Sequence, residues 1–367
     1  MTRSSAPVLS NRALNRAVLA RQMLLERRPA GVPEVLRLLV GLQGQNHNAP
    51  YVGLWSRIEG FSVVDLETLL MERKAVRGTL MRGTLHVAMA EDYLAIRPLL
   101  GPTLERIFNA NHRKRLPGAD IEAIRQLGRD LLDKEALSAG ALGKKLAEAM
   151  PGHNPTEMGM VTRILDDLVH VPPAGLWGAT KAPTLRTARS WLKQEAGEGM
   201  ALTELVRRYL AAFGPASKAD FTAWSGLAAT EAFETMREEL MVFAGEDGRE
   251  LFDLPDAPRP DAEIRAPARL LADYDNILIG YADRSRMADP KHLTHLMTIN
   301  GIFNPTFTVD GFVHGLWKLT QGDSPKVTLR WFMPLKKKDE AALKREAKSL
   351  LATFAGGKGD VIFQPFE

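Results

Sequence analysis

Helical runs with one apolar face come in threes along this chain, each set followed by short extended segments. That order restricts the fold to repeated three-helix units ending in a hairpin. Residues 11–28, NRALNRAVLARQMLLERR, place Leu14, Val18 and Leu25 on one stripe with Arg12, Arg16 and Arg27 off it, and Pro29 stops the run. A second helix opens at Pro33, a favourable first-turn residue, and runs through Val35, Leu36, Leu39 and Val40 toward Gln43. A third lies around Val64 to Arg73, and the pattern then switches to extended pieces at Val76–Leu80 and Met81–Val87. Three helices and a hairpin predict a winged helix.

The order recurs. Helices around Ile121–Leu132, Ala136–Met150 and Glu157–Val169 precede Pro172–Leu185, a Pro- and Gly-containing segment that reads as strand, turn, strand. From Leu202 a third set begins: helix Thr203–Phe213, a turn at Gly214-Pro215, a helix capped by Ser217 with Asp220 near its third position, and another capped by Thr230. Beyond the Pro-rich residues 254–260, Leu270 to Arg330 is rich in short β-like runs punctuated by Gly280, Gly301, Gly311 and Gly315, before a last helix from Asp339 to Phe354. The expectation is an α+β fold, mainly α. Residues 1–100, 101–200 and 201–260 would each form a winged helix, and residues 261–367 a small β-barrel with its C-terminal helix.

Composition narrows the function classes. None of the 367 residues is a cysteine, which excludes disulfides, thiolate zinc sites, iron–sulfur ligation and a thiol nucleophile. The sequence contains no apolar run of about 18 residues, and the N-terminal Met1-Thr-Arg-Ser-Ser leads into a charged helix pattern rather than a signal peptide. A cytoplasmic protein with no membrane partner is expected. The net charge of +4 is unevenly spread: residues 1–120 hold 17 Lys and Arg against 10 Asp and Glu, and the remainder holds 31 against 34. A basic end suits a polyanion, because cationic side chains release the counterions condensed on phosphates. A solvated basic face has the same composition.

Most catalytic signatures are missing. There is no GxxxxGK[ST], HExxH, GxSxG or GxGxxG in a suitable setting, so the usual marks of nucleotide hydrolysis, zinc proteolysis, serine hydrolysis and dinucleotide redox are absent. Among eight histidines only His292 and His295 lie close in sequence, and without a third ligand they predict a surface pair rather than a metal site. Neither a metal nor a cofactor is expected. The unusual string is Leu39-Val-Gly-Leu-Gln-Gly-Gln-Asn-His-Asn-Ala-Pro50. In a continuing helix Gln43 and Gln45 would diverge by about 200°, but in an extended segment they point the same way. Gly44, Asn46, Asn48 and Pro50 favour the helix ending here, so either two amides face one cleft or the string is a polar helix cap.

LVGLQGQ, together with PYVGLWSRI at Pro50–Ile58 and LMRGTLH at Leu80–His86, resembles the AlkZ/YcaQ-like family of bacterial winged-helix DNA glycosylases. Residues 214–226, Asp273-Tyr-Asp-Asn276, 280–284 and 309–317 match in order as well, so the similarity spans nearly the whole chain. The resemblance implies tandem winged helices and a C-terminal barrel curved into a C around DNA. It also implies a catalytic Gln-x-Gln motif, which here is Gln43 and Gln45, of the AlkZ-like branch. One departure is the middle position, usually aliphatic and here Gly44.

Glutamine cannot ionise, so it is no ordinary general base. Its carbonyl can accept from an attacking water and sit near the positive charge that develops on the sugar. That suffices for a base that leaves easily. N7-alkylguanine and N3-alkyladenine already carry positive charge, so the pair predicts excision of cationic alkylpurines from duplex DNA and failure on uracil. The expected enzyme is a monofunctional, monomeric repair glycosylase that leaves an abasic site, since no lysine lies nearer the motif in sequence than Lys74. Its relatives by resemblance include crosslink-unhooking and antibiotic self-resistance enzymes.

The surrounding residues divide by chemistry. Arg77, Arg82, Thr84 and His86 suit phosphate contacts from the first hairpin, with Lys181 on the second and Arg284 and Arg286 on the barrel. Arg113, Lys114 and Arg115 are either a phosphate contact or a solvated loop. Asn46, Tyr51, Trp55 and Trp177 are candidates for contact with the lesion, although aromatics at helical spacing are more often core. Asp275 is the reserve carboxylate, or a turn-forming residue. A competing class, a non-catalytic winged-helix transcriptional regulator, predicts dimers on paired half-sites.

Overall fold

In the computed structural model, which describes residues 6–195, 197–298 and 301–366, Ser10 opens the first helix by accepting from the Ala13 N–H at 3.1 Å. The helix buries Leu14 and Val18 as its stripe requires, but it spans Asn11–Arg21 rather than 11–28. It ends where Met23 turns left-handed at φ 58° and the Leu24 N–H returns to the Leu19 carbonyl at 2.8 Å, with Arg21 held inward in a bidentate pair with Asp253. Three helices follow at Val32–Leu38, Ala49–Trp55 and Val63–Met71, and then a hairpin of Ala75–Thr79 with Leu85–Met89.

The helix, helix, helix, hairpin order is seen twice more. Ile121–Lys134, Ala139–Ala149 and Pro155–Leu165 are capped by Asp120, Ser138 and Asn154, and lead into Leu168–Val171 paired with Thr184–Thr187. The segment expected to form both strands of this hairpin is mostly its connecting loop. Leu202–Phe213, Lys218–Ser225 and Thr230–Thr235 precede Met241–Gly245 paired with Glu250–Asp253. Ser217 and Asp220 cap each other's backbone as predicted. The helix at Thr230 has no side-chain cap.

The first two hairpins fuse. Arg77 pairs with His170 and Gly78 with Val169, giving one six-stranded sheet that also takes in Leu42–Gln43 and Leu137–Ser138. Gly78 permits this approach: a Cβ there would lie 2.5 Å from the Tyr93 ring and 2.9 Å from the Leu168 carbonyl. A third sheet runs in the order Arg269–Leu271, Thr306–Val309, Phe312–Thr320, Lys326–Trp331, Asp360–Pro365. Its end strands do not pair with each other, so the expected barrel is an open sheet. The helix Lys337–Phe354 lies against the strands at both ends, occupying the side on which a barrel would close. It then returns the chain as a parallel fifth strand that the sequence reading missed.

One apolar core runs from Val18 to Phe354 through the first, third and C-terminal parts, and a second, built on Ile124, Leu142 and Val161, fills the three helices between 121 and 165. Each fully buried Leu, Ile or Val in them contributes about 1.5–3 kcal/mol. His292 and His295 pack on Phe332 and Phe366. Among the described residues, no helix is long and apolar enough to cross a membrane.

Candidate active site

The helix Val32–Leu38 ends at Leu39, and Val40 and Gly41 both take positive φ, 56° and 91°. This reversal brings Leu42 and Gln43 alongside Val87 and His86 as a short antiparallel strand. Gly44 donates to the Leu85 carbonyl at 2.7 Å. The motif is therefore extended, the first of the two arrangements that the sequence left open. A Cβ on Gly44 would meet Val87 Cγ2 at 3.3 Å and Pro50 Cγ at 3.6 Å. The volume an aliphatic middle residue would need is taken by these two side chains.

Both glutamines turn toward the tip of the first hairpin. Arg82 donates from Nη2 to Gln43 Oε1 at 2.8 Å, and the Leu85 N–H donates to Gln45 Oε1 at 3.4 Å. Because both partners can only donate, each amide shows them its carbonyl, and its NH₂ points elsewhere. Gln43 is 6% exposed, whereas Gln45 stands open. Arg82 adopts φ 58° in the tight turn Met81–Gly83, and its Nη1 donates to the Trp224 carbonyl. Burial and the nearby Arg284 lower its pKa to about 10.

Arg77 underlies the motif from the adjacent strand. Its Nε donates to the Gly44 carbonyl at 2.9 Å and its Nη2 to the Gln45 carbonyl at 3.4 Å. Buried arginines elsewhere meet carboxylates: Arg16 meets Asp310, Arg21 meets Asp253 and Arg57 meets Asp275. Among the described residues, Arg77, Arg82, Arg163 and Arg284 have no such partner. Uncompensated cations around one strand focus a positive potential on it.

The structure redistributes the other candidates. His86 is 2% exposed with Nδ1 on the Thr84 carbonyl, and Arg286 is 2% exposed with Nη1 on the Pro215 carbonyl, so neither reaches a phosphate. Thr84 donates to the Met81 carbonyl and shapes the turn. Tyr51 is fully buried with its hydroxyl on the Gly175 carbonyl, and Trp55, 3% exposed, packs under Arg27 and against Phe354. Both belong to the core rather than to a lesion contact. Trp177 stacks on Phe354 yet still lines a cleft of about 280 Å³ with Asn46, Asp273 and Lys318. Lys318, remote from the motif in sequence, thus lines a cleft with Asn46, the residue that follows the motif. Arg113, Lys114, Arg115 and Lys181 are exposed, with Arg115 on Glu157. Arg284 is half-buried over the Phe303 ring.

Asp275 is not a free carboxylate. It pairs bidentately with Arg57 at 2.8 and 2.9 Å, both side chains being fully buried, and it caps the short helix Asn276–Ile279. The acid that faces the motif is Asp273, two residues earlier, which accepts from Asn46 and whose pKa burial raises. Nothing local distinguishes the two aspartates; only the return of the chain does.

The family model of the AlkZ-like DNA glycosylases matches residues 36–353. The chain belongs to this family. It is a DNA glycosylase, an enzyme of N-glycosyl bonds. Among curated proteins it is similar to an interstrand DNA cross-link repair glycosylase of Streptomyces sahachiroi, 24% identical over 323 residues, with 82% of this chain and 85% of that protein covered. Among solved structures it is similar to the Streptomyces sahachiroi DNA glycosylase AlkZ, with a TM-score of 0.78 at 20% identity over 97% of this chain and 100% of that one.

Two predictions for the glycosylase arise here. Arg82→Ala is expected to slow base release about 10- to 100-fold, because Gln43 loses the donor that sets its rotamer. Lysine at the same position should restore part of the rate in a single-turnover assay. His86 concerns stability. Burial beside Arg82 pushes its pKa down to about 3, against about 6.5 when unfolded. Between those values the unfolded chain takes up a proton that the folded chain does not. The contribution is complete above the unfolded pKa and is lost as pH falls toward the folded one. Urea denaturation should show a loss of about 2 kcal/mol from this group between pH 7 and pH 5, and a smaller pH dependence in His86→Gln.

Proposed function

We propose that this glycosylase hydrolyses the N-glycosidic bond of cationic N-alkylpurines, N7-alkylguanine and N3-alkyladenine, in duplex DNA, with Gln43 and Gln45 as its catalytic pair. The observation that carries the reading is that both glutamines turn toward the one hairpin tip, on Arg82 and Leu85, with no carboxylate on either of them among the described residues. Each amide carbonyl keeps a second lone pair that can accept from a water. That water's oxygen bonds to the sugar C1′ as the bond to the base nitrogen breaks. The electron pair goes to the base and cancels its positive charge, and a water proton leaves to solvent. Neutral amides match this reaction because the leaving group needs no proton from the enzyme.

Arg82 and Arg284, with the exposed Arg113, Lys114 and Lys181, supply cations for the phosphates. The name of the Streptomyces relative supports extending the substrate range to bulky adducts and interstrand crosslinks. In this reading the three helix-and-hairpin sets are winged helices curving around DNA, and the enzyme works as a monomer without a lyase step. Membership of a glycosylase family disfavours the transcriptional regulator.

The test is single-turnover release from duplexes carrying one N7-methylguanine, one bulky N7 adduct or one uracil. Release of an alkylated base above the spontaneous rate, none of uracil, and no borohydride-trapped covalent adduct are expected. Failure on both alkylated substrates would overturn the proposal.

A further inference from the structure

His170 lies on the strand that joins the second hairpin to the first, directly opposite Arg77. Arg77 Nη1 meets its Nδ1 at 2.6 Å. A guanidinium can only donate, so Nδ1 holds the lone pair and the imidazole proton sits on Nε2. The same guanidinium carries the Gly44 and Gln45 carbonyls. One cation therefore ties the motif backbone and this imidazole into a single unit. Burial, Arg77 and Arg163 hold the ring neutral, its pKa pushed down to about 3.

The ring lines a cavity of about 250 Å³ that Gln45 also lines, with Thr79 and Arg163 beside them and Leu85, Ile107 and Met160 among its apolar walls. No described residue accepts from His170 Nε2. Gln45 has turned its carbonyl to Leu85, so its NH₂ is the group left for the cavity. The His170 Nε2–H, the Gln45 NH₂ and the Arg163 guanidinium are thus donors set in an apolar wall, with the Thr79 hydroxyl and His112 completing the polar lining. Purines differ at the edge such a lining reads: guanine presents the O6 acceptor where adenine presents an amino donor.

We propose that His170 is a specificity-determining residue whose Nε2–H donates to the O6 carbonyl of N7-alkylguanine, with the N7 substituent on the apolar wall of the cavity. This rests on the function proposed above and adds that the enzyme discriminates between the two cationic purines. A site built around a donor gains from the carbonyl and is left unpaired, or opposed by another donor, when adenine enters. Because the ring is neutral, it donates without adding a further cation beside an already cationic base.

The experiment compares release of N7-methylguanine and N3-methyladenine, each expressed as acceleration over its spontaneous rate, in wild type, His170→Phe and His170→Gln. The guanine-over-adenine ratio is expected to fall about tenfold or more in His170→Phe and to recover in part in His170→Gln, whose amide can place a donor near the Nε2 position. A ratio unchanged in His170→Phe, whatever the overall rate, overturns the inference while leaving the proposed function standing. Nitrogen NMR of histidine-labelled protein gives a second readout that does not need turnover. Wild type should show His170 as the Nε2–H tautomer, and its Nε2 signal should shift on adding a duplex with 2′-fluoro N7-methylguanine but not an unmodified one. A proton on Nδ1, or no selective shift, overturns the inference. If wild type releases neither base, the function proposed above fails and the NMR result alone decides the role of His170.

Discussion

Gln43→Ala and Gln45→Ala are each expected to lower single-turnover release of N7-methylguanine by about 100- to 1,000-fold, measured at matched occupancy of the DNA. The size follows from what an aimed dipole does: it opposes charge that develops only in the transition state, with no reorganisation at the moment of reaction. The two losses should not add, because a single water and a single developing charge are shared between the amides. Gln43 carries an additional cost. Its alanine variant leaves Arg82 Nη2 without the Oε1 acceptor in a half-buried position already short of anions, so its DNA complex should also become more dependent on salt. Release that survives both substitutions would remove the motif from the chemistry.

Arg57→Ala and Asp275→Ala should each destabilise the fold by about 3–5 kcal/mol, because truncating one member leaves the other charged, buried and unpaired. Both side chains are fully buried. Arg57 also donates to the Gly53 carbonyl and to Gln22 Oε1, and Asp275 accepts from the Ile277 N–H. The pair thereby pins the helix after the motif to the C-terminal segment. A loss of that size is a large part of the 5–15 kcal/mol by which domains are usually stable, and urea denaturation would show it as a lowered midpoint. The same experiment separates structure from chemistry. Asp275→Asn should lose stability but keep its release rate per folded molecule. A stable Asp275→Asn that no longer released base would restore this carboxylate as a catalytic group.

Some features with a local cause were legible in the residues, although the cap expected at Thr230 was not formed. The stripe of Leu14 and Val18 and the reciprocal cap of Ser217 and Asp220 rest on periodicity or on partners within four residues, whereas the extended run at Gln43 rests on pairing with His86 and Val87. Where a helix ends is different. The stripe continued to Leu25, but the helix ended at Arg21, where Met23 turns left-handed and the Arg21 side chain enters a buried pair with a carboxylate 232 residues away. The final strand Asp360–Pro365 was missed because its short exposed run becomes a strand only beside Lys326–Trp331.

The residues of this chain by themselves determined its three helix-and-hairpin sets and its likeness to a glycosylase family, and left the two glutamines either on one extended segment or in a helix cap. Only the tertiary structure decided what surrounds those glutamines. Arg82 reaches Gln43 across 39 residues, His170 reaches Arg77 across 93, and Asp275 withdraws into a pair with Arg57 across 218. Period and propensity act over one or two turns of chain, whereas the position of a buried charge depends on which opposite charge or carbonyl the whole fold brings to it.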